Sequence, residues 1–270
     1  MAKVAAKTRS TREARPAASR LRSWLSTLAW CAVFVSSAMA ARKVHQFVIT
    51  DPQFLLSAAN RDSILIQGIT YTPRTEVRRL FEQDFGRSIF SIRLQERRRR
   101  LRAIDWVQDA AVLRIWPNRL LVRITERKPV AFVNLVVRPE TGGPSSVMLI
   151  DPEGALLEPP TRARFAFPVL SGVTDEMSTA DRRARVQAML SLLAELGPAA
   201  KDISEIRIAS FDNVAVIAQV EGRALELILG DGNYARRYQN FLNHYPEIQK
   251  RAGNVTTFDL RLDDRITAKE

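Results

Sequence analysis

Between residues 62 and 130, hydrophobic positions recur with two spacings that define a small folded unit. Spacing of two is typical of strands with one apolar face, and spacing near 3.6 is typical of amphipathic helices. The resulting order is strand, helix, helix, strand, strand, which predicts an α+β unit with a three-stranded sheet and two helices on one face. The predicted elements are a strand at 64–66, a helix with Thr72 as N-cap and Pro73 at its first position, a helix at 94–103, and strands at 106–115 and 119–125.

A second region begins after Pro129, where short apolar runs alternate with turn sequences. Two segments carry helical spacing instead. One follows Ser178 and Asp181, which resemble a capping box, and the other covers about 233–249 with a stripe of aromatic residues. We therefore predict a larger mixed β domain with two helices. Its predicted strands include 147–150, 169–170, 203–209, 214–220 and 225–229.

The last strand-like run, Val255–Leu262, has one apolar and one polar face. Phe258, Leu260 and Leu262 alternate with polar residues, which is the pattern of a half-buried strand. A strand at the edge of a sheet leaves N–H and C=O groups unpaired, and another chain can pair with them. An open docking edge is therefore the first hypothesis for this strand. On these residues alone, however, an ordinary edge strand that binds nothing is the favoured interpretation.

Near the N-terminus, nineteen residues without a charge, 23–41, follow a strongly basic stretch, 1–22. An apolar helix of this length just spans a hydrocarbon core of roughly 30 Å. The basic stretch predicts a cytoplasmic N-terminus, so everything after Arg42 is exported. Ala38-Met39-Ala40 also fits a signal-peptidase site, but the apolar segment exceeds the usual length of a signal peptide, so we favour an uncleaved anchor.

The net charge of +12 is concentrated rather than spread over the chain. Residues 1–22 carry seven Lys or Arg residues and one Glu, so their net charge is half of the total. The arginine run Arg97–Arg100 would point in several directions on a helix and lies outside the cytoplasm in the predicted topology. We therefore expect no nucleic-acid binding. We expect a solvated helix there, with contact to anionic headgroups or an acidic partner as the alternative.

Catalytic or metal-binding residues are sparse in the exported region. Cys31 is the sole cysteine and falls in the apolar segment, so no disulfide or cysteine nucleophile is expected. His45 and His244 have no ligand-like neighbours, and phosphate-loop or hydrolase motifs are missing from the sequence. We therefore predict no enzymatic activity, no cofactor and no metal. An anchored cell-wall enzyme using paired carboxylates such as Asp263-Asp264 is a remaining alternative.

Several motifs in this order resemble the bacterial FtsQ (DivIB) cell-division family. After Trp106-Val107, the stretch from Trp116 to Ala131 reads W-P-x-x-L-x-V-x-I-x-E-x-x-P-x-A, the family's hairpin at the end of a POTRA domain. Further matches are the turn at 149–154, the P-x-L-x-G segment at 168–172 and the D-L-R at 259–261. The resemblance covers essentially the whole exported region.

The resemblance implies a single-pass inner-membrane scaffold at the division septum, without enzymatic activity. Such a scaffold holds the FtsB–FtsL pair and helps to control septal peptidoglycan synthesis by FtsW and FtsI, and FtsK is a further candidate partner. Another POTRA-bearing envelope assembly or secretion scaffold is the alternative. The implied organisation is a cytoplasmic tail at 1–22, a transmembrane helix at 23–41 in contact with lipid, a connector at 42–61, a POTRA domain at 62–130, a β domain at 131–263 and a C-terminal tail at 264–270.

The resemblance also implies where the partner binds. In the family, a segment of FtsB adds as a strand to the last strand of the β domain, and the arginine of D-L-R, here Arg261, meets an acidic partner residue. Family members often have a tyrosine where this chain has Leu262, so an apolar contact is expected there without the aromatic ring. The implied partner-binding residues are Thr257, Phe258, Asp259, Leu260, Arg261, Leu262 and Asp263.

Overall fold

The computed structural model describes residues 17–136, 145–161, 163–251, 253–263 and 265–269, with side chains in these ranges except at 17–23, 25–27, 61, 136 and 145. Residues 1–16 of the predicted cytoplasmic tail, and 264 and 270 of the predicted C-terminal tail, lie outside them. The elements are α1 (Ala17–Thr50), β1 (Ile64–Gln67), α2 (Arg74–Arg79), α3 (Leu94–Leu101), β2 (Val107–Ile115), β3 (Arg119–Glu126), β4 (Ala131–Val136), β5 (Ser145–Ile150), β6 (Leu156–Leu157), β7 (Val169–Ser171), α4 (Thr179–Leu196), β8 (Ile203–Ser210), β9 (Asn213–Val220), β10 (Arg223–Gly230), α5 (Tyr234–Arg251), β11 (Thr257–Asp259) and β12 (Thr267–Lys269).

The chain divides into two compact units. The first combines 1–65 with 83–93 and 114–120, and the second combines 66–82, 94–113 and 121–270. In the first unit, α1 continues past the predicted anchor to Thr50 and exposes large apolar side chains, among them Trp24, Trp30 and Phe34. Among the residues that the structure describes, no helix combines the length and mean hydropathy needed to cross a membrane.

The carboxyl end of α1 is fastened within the first unit by the segment 83–93. The Ser88 hydroxyl donates to the carbonyl oxygen of Val48 at 2.7 Å. The rings of Phe47 and Phe54 meet edge to face with centroids 5.9 Å apart, and Phe54 meets Phe90 in the same way at 5.6 Å. These contacts fix the direction in which the chain leaves α1, because they hold the backbone and a side chain at the end of the helix against residues that follow it.

The predicted order of strand, helix, helix, strand, strand is confirmed by β1, α2, α3, β2 and β3, whose strands form a sheet in the order β1-β3-β2. The predicted N-cap of α2 is wrong: Pro73 occupies that position, and its side chain makes no capping bond. Instead the Glu126 carboxylate accepts the backbone N–H groups of Thr70, Tyr71 and Thr72 at 2.9, 3.0 and 2.6 Å. A carboxylate at the end of β3 thus holds the backbone just before α2, where a capping side chain of Thr72 was expected.

A nine-stranded mixed sheet forms the core of the second unit, in the order β12-β11-β10-β9-β8-β7-β4-β5-β6. The parallel pairs are β10 with β11, β8 with β7 and β7 with β4, and the remaining pairs are antiparallel. Because β11 follows α5 and runs parallel to β10, the stretch β10-α5-β11 is a crossover of the strand-helix-strand kind. This crossover brings the last strands to one end of the sheet.

Helices α4 and α5 bury their apolar stripes in the same core as the sheet, as predicted. The predicted N-cap of α4 is confirmed, because the Ser178 hydroxyl oxygen accepts the Asp181 N–H at 3.1 Å. The Asp181 carboxylate accepts the Ser178 hydroxyl at 2.6 Å. On α5, the aromatic stripe Tyr238, Phe241 and Tyr245 is almost fully buried. The spacing of these residues is therefore a packing signal, as interpreted from the sequence.

Two expectations about the end of the described chain are wrong. The strand expected over Val255–Leu262 is limited to β11, residues 257–259, and Leu262 is 57% exposed instead of facing the core. The edge of β11 is also not open, because β12 pairs antiparallel with it. This strand lies in 264–270, which were expected to be a tail outside the β domain.

Candidate docking edge

Strand β11 is held on its inner side by β10. The Leu260 N–H donates to the Ile228 carbonyl at 2.9 Å, and the Glu226 N–H donates to the Thr256 carbonyl at 2.8 Å. Successive peptide groups along a strand face opposite sides, so those of Thr257 and Asp259 face away from β10. Hydrogen-bonding groups of these two residues therefore form the side to which another strand can add.

The side chains of Phe258 and Leu260 anchor the edge in the core. Both are 1% exposed. The Phe258 ring lies 5.1 Å from the Phe241 ring and 6.5 Å from the Tyr245 ring, measured between centroids. Contacts of this kind with α5 make Phe258 and Leu260 structural members of the predicted site. They position the backbone of β11 for a partner strand.

Strand β12 occupies the outer side of β11. Thr257 lies opposite Lys269, and Asp259 lies opposite Thr267. All three residues of β12 have exposed side chains. Among the described residues, no further strand pairs with the outer side of β12.

The Asp259 carboxylate is the electrostatic centre of this edge. The Arg261 guanidinium donates to it at 2.9 Å from Nε and 2.7 Å from a terminal nitrogen, and the Lys269 ammonium lies 3.2 Å away. Hydrogen bonds from Arg261, with a smaller contribution from Lys269, hold the pKa of Asp259 well below its ordinary value of 3.8. Asp259 is thus ionised at neutral pH and ties β12 to β11.

The segment after β11 is fixed by α5. The Arg237 side chain, mostly buried, donates from Nε to Asp263 at 2.9 Å and from a terminal nitrogen to the Leu229 carbonyl at 2.5 Å. The hydrogen bond from Arg237 lowers the pKa of Asp263. Gly230, at φ +80°, leaves room for this arrangement, since a Cβ there would lie 3.0 Å from both Arg237 and Arg261.

A groove of about 490 Å³ runs between α5 and the β11–β12 pair. His244, Glu247 and Ile248 line it from the helix, and Phe258 and Ile266 line it from the strand side. Ile266 is half-buried and packs against the core of the β domain. It is the one apolar side chain that the segment 265–269 places against this core.

A row of polar side chains crosses the sheet towards Thr257. The Thr257 hydroxyl donates to the Glu226 carboxylate at 3.4 Å, Glu226 pairs with Arg207, and Arg207 lies 3.5 Å from Glu205. Thr257 and Glu226 lie opposite each other on neighbouring strands, where paired side chains stabilise a sheet. Through this row the polar face of β11 is coupled to strands nearer the middle of the sheet.

The predicted site residues, Thr257–Asp263, stay a prediction. The sequence did not point to four residues that contact them or line the same groove, which are Glu226, Arg237, Ile266 and Lys269. The short run Ile266-Thr267-Ala268, which contains two β-branched residues, was the available signal for β12. Arg237 and Glu226 had no local signal, because their partners lie on other elements.

The other candidate chemistry of the sequence has structural partners. Arg98 pairs with Asp109 at 3.0 Å, and Arg100 pairs with Glu96 at 2.6 Å, both exposed pairs within the same unit. Hydrogen bonding to Arg98 lowers the pKa of Asp109. Within the part of the chain that the structure describes, no group of three or more His, Cys, Asp or Glu residues is arranged to hold a metal ion.

A family model for the POTRA domain of the FtsQ type matches residues 60–127. The chain is 34% identical over 211 residues to cell division protein FtsQ of Koribacter versatilis (strain Ellin345), covering 76% of this chain and 58% of that protein. It is 26% identical over 193 residues to cell division protein FtsQ of Geotalea daltonii, covering 68% of this chain and 66% of that protein.

A third relative, cell division protein FtsQ of Actinobacillus pleuropneumoniae serotype 3, is 26% identical over 216 residues, which cover 77% of this chain and 86% of that protein. The aligned region thus spans less than two thirds of the first two relatives but most of the third. These matches extend well beyond the POTRA segment into the β domain. The resemblance seen in the sequence is confirmed, and the chain belongs to the FtsQ family.

Proposed function

We propose that this protein is a scaffold of the bacterial division machinery that binds FtsB and FtsL through the edge of β11 and helps to control septal peptidoglycan synthesis. Its membership of a family of cell division proteins supports the role in division. The observation that carries the docking site is the position of β11 at one end of the sheet, with only three exposed residues of β12 covering it. No catalytic step is part of this proposal.

In the proposed complex, a strand of FtsB pairs with the outward peptide groups of Thr257 and Asp259. Arg261 and Leu262 lie just beyond, and their exposed side chains are available to an acidic and an apolar partner group. Main-chain hydrogen bonds supply affinity in strand addition, and the flanking side chains supply specificity. FtsW, FtsI and FtsK are the further candidate partners of the assembled scaffold.

The proposal places the protein in the cell inner membrane, with 23–41 as a single span, a cytoplasmic N-terminus and a periplasmic body. The exposed apolar side chains of α1 support a lipid environment, since large apolar surfaces in a folded protein mark interaction sites. The contact between Ser88 and Val48 supports a stiff connection from this helix to the segment 83–93.

Site-specific photo-crosslinking in dividing cells tests the docking site. A photoreactive amino acid is placed at Arg261 or Leu262, both exposed, or at Val147, an exposed residue on β5 towards the other end of the sheet. We expect a crosslink to FtsB from the first two positions and none from Val147. The captured protein is identified by mass spectrometry.

Equal crosslinking of FtsB from Val147 would contradict a docking site at β11. Capture of a different envelope protein from Arg261 and Leu262, with no FtsB, would favour another assembly scaffold. Growth and septation of the crosslinker-bearing strains are the control that each variant is folded and in place.

A further inference from the structure

The covering of β11 by β12 raises a problem for strand addition, because the edge already has an occupant. Strand β12 pairs with every residue of β11: Thr257 with Lys269, Phe258 with Ala268, and Asp259 with Thr267. A partner strand can reach the outward groups of β11 only if β12 leaves. Otherwise it must add to the outer side of β12.

The attachment of β12 is slight. Its three side chains are all exposed. The side chain of Lys269, whose ammonium reaches Asp259, is 46% exposed. Exposed ion pairs contribute little to stability. Apart from backbone pairing, the segment 265–269 contributes one half-buried apolar contact, from Ile266.

The attachment of β11 to the sheet is much stronger. Phe258 and Leu260 are buried, and the Leu260–Ile228 hydrogen bond continues the pairing with β10 beyond the strand itself. Arg261 keeps its contacts with Asp259 independently of Lys269. Segments with few buried apolar contacts open locally before the core does. Strand β12 can therefore detach while β11 stays in place.

We propose that β12 is an exchangeable strand that covers the docking edge of β11 and is replaced by the strand of the partner. This inference rests on the proposed function. The partner segment would run antiparallel to β11, as β12 does, and would place an aliphatic side chain in the groove position of Ile266. A cationic side chain near Asp259 would reproduce the contact of Lys269.

Such a cover has a physical use. An uncovered edge strand pairs with the edges of other molecules, which leads to aggregation. A covering strand suppresses this aggregation. It also lowers the apparent affinity for the partner, because only the molecules with an open edge can bind it. Partner capture would therefore be sensitive to changes in β12 that leave β11 intact.

A reversible crosslink tests the exchange directly. In a full-length protein in detergent with Cys31→Ser, Thr257→Cys and Lys269→Cys are joined by a short methanethiosulfonate crosslinker, and capture of purified FtsB–FtsL is measured. We expect the crosslinked protein to bind FtsB–FtsL at least about tenfold more weakly, because the crosslink removes the molecules in which the edge is open. Reduction of the crosslinker should restore binding. The two single-cysteine variants, treated in the same way, are the controls.

Two proline variants separate replacement from addition. By the alternation of peptide groups, the N–H of Thr267 faces β11, and the N–H of Ala268 faces outwards. Thr267→Pro removes a bond that holds β12 in place, so we expect tighter capture, by several-fold. Ala268→Pro removes a donor that only an outer strand could use, so we expect unchanged capture.

Loss of capture in Ala268→Pro, or full capture by the crosslinked protein, would overturn the exchange, because the partner would then add without displacing β12. If FtsB–FtsL binds in neither state, the proposed partner fails, and hydrogen exchange of the unliganded protein decides about β12. Exchange of 265–269 faster than that of 223–230 supports an exchangeable strand. Equally slow exchange of the two segments overturns it.

Discussion

The Lys269 ammonium lies 3.2 Å from the Asp259 carboxylate and joins the outermost described strand to the strand beneath it. The Asp259 side chain is mostly buried, whereas the Lys269 side chain is nearly half exposed. The carboxylate also accepts hydrogen bonds from Nε and from a terminal nitrogen of Arg261. One ionised group thus holds together the docking strand and its cover, which makes the edge sensitive to the protonation of Asp259.

Acid should weaken this edge. The folded pKa of Asp259 lies below its ordinary value of 3.8, so its stabilising contribution is complete above that value and is lost as the pH falls towards the folded pKa. We expect the urea midpoint of the protein to exceed that of Asp259→Asn at about pH 6, and the difference to shrink below about pH 4. Far-UV circular dichroism provides the measurement. A difference that stays constant down to about pH 2.5 would contradict this assignment.

Phe258 and Leu262 should behave oppositely although both were expected on one apolar face. Phe258→Ala removes a fully buried ring and should lower the free energy of unfolding by about 3–5 kcal/mol. Leu262→Ala changes an exposed side chain and should alter stability by no more than about 0.5 kcal/mol. Urea unfolding of the two variants checks this. Similar losses in both would show that Leu262 is packed in solution.

The difference between these two residues illustrates what the sequence could predict. The period of two located Phe258 and Leu260 in the core, since burial follows directly from the apolar spacing. It could not locate the end of the strand at Asp259. Beyond that residue, the path of the chain is fixed by the hydrogen bond from Arg237 to Asp263. That contact joins residues 26 positions apart and has no periodic signal.

The same limit explains the missed cover and the misplaced N-cap. Strand β12 buries no side chain of its own, so it has no amphipathic pattern to detect. At Thr72 the local rule for helix starts failed, and the backbone there is held by Glu126, 54 residues later, which accepts the Thr72 N–H. By contrast, the helices α4 and α5 were predicted well, because the N-cap of α4 and the buried stripes of both helices are local features.

Glu126 should be important for the stability of its domain. Its carboxylate accepts three successive backbone N–H groups, at Thr70, Tyr71 and Thr72. Glu126→Ala leaves these donors without that acceptor and should cost about 1–3 kcal/mol. Glu126→Gln keeps one acceptor oxygen and should cost less. Hydrogen exchange of a peptide covering 70–82 measures the effect, and equal protection in all three proteins would contradict this role.

Arg237 should support the docking edge from α5. Arg237→Met keeps the length of the side chain but loses the bonds to Asp263 and to the Leu229 carbonyl, so we expect a loss of about 1–3 kcal/mol. Arg236→Met, at the exposed neighbouring position, is the matched control and should change stability by about 0.5 kcal/mol or less. Thermal unfolding compares the two. An equal effect of both substitutions would indicate a general charge effect instead of the specific contacts.

Proline substitutions in β11 should separate folding from docking. The Leu260 N–H is bonded inwards to Ile228, so Leu260→Pro should destabilise the edge of the sheet itself. The Thr257 N–H faces outwards, so Thr257→Pro should leave the inward bonding of β11 intact and abolish capture of FtsB. Arg261→Ala should only weaken capture, by up to about fivefold, because an exposed ion pair is worth about 0.2–1 kcal/mol.

Pull-down of FtsB by each full-length variant in detergent measures capture, and circular dichroism measures folding. Because Leu260→Pro affects both quantities, its loss of capture alone does not assign the docking side. Thr257→Pro makes that assignment, since it removes a donor from the outer side of β11 only. Normal capture by a folded Thr257→Pro protein would rule out pairing of the partner with the outer side of β11. The partner would then add to the outer side of β12 or contact the exposed side chains of Arg261 and Leu262.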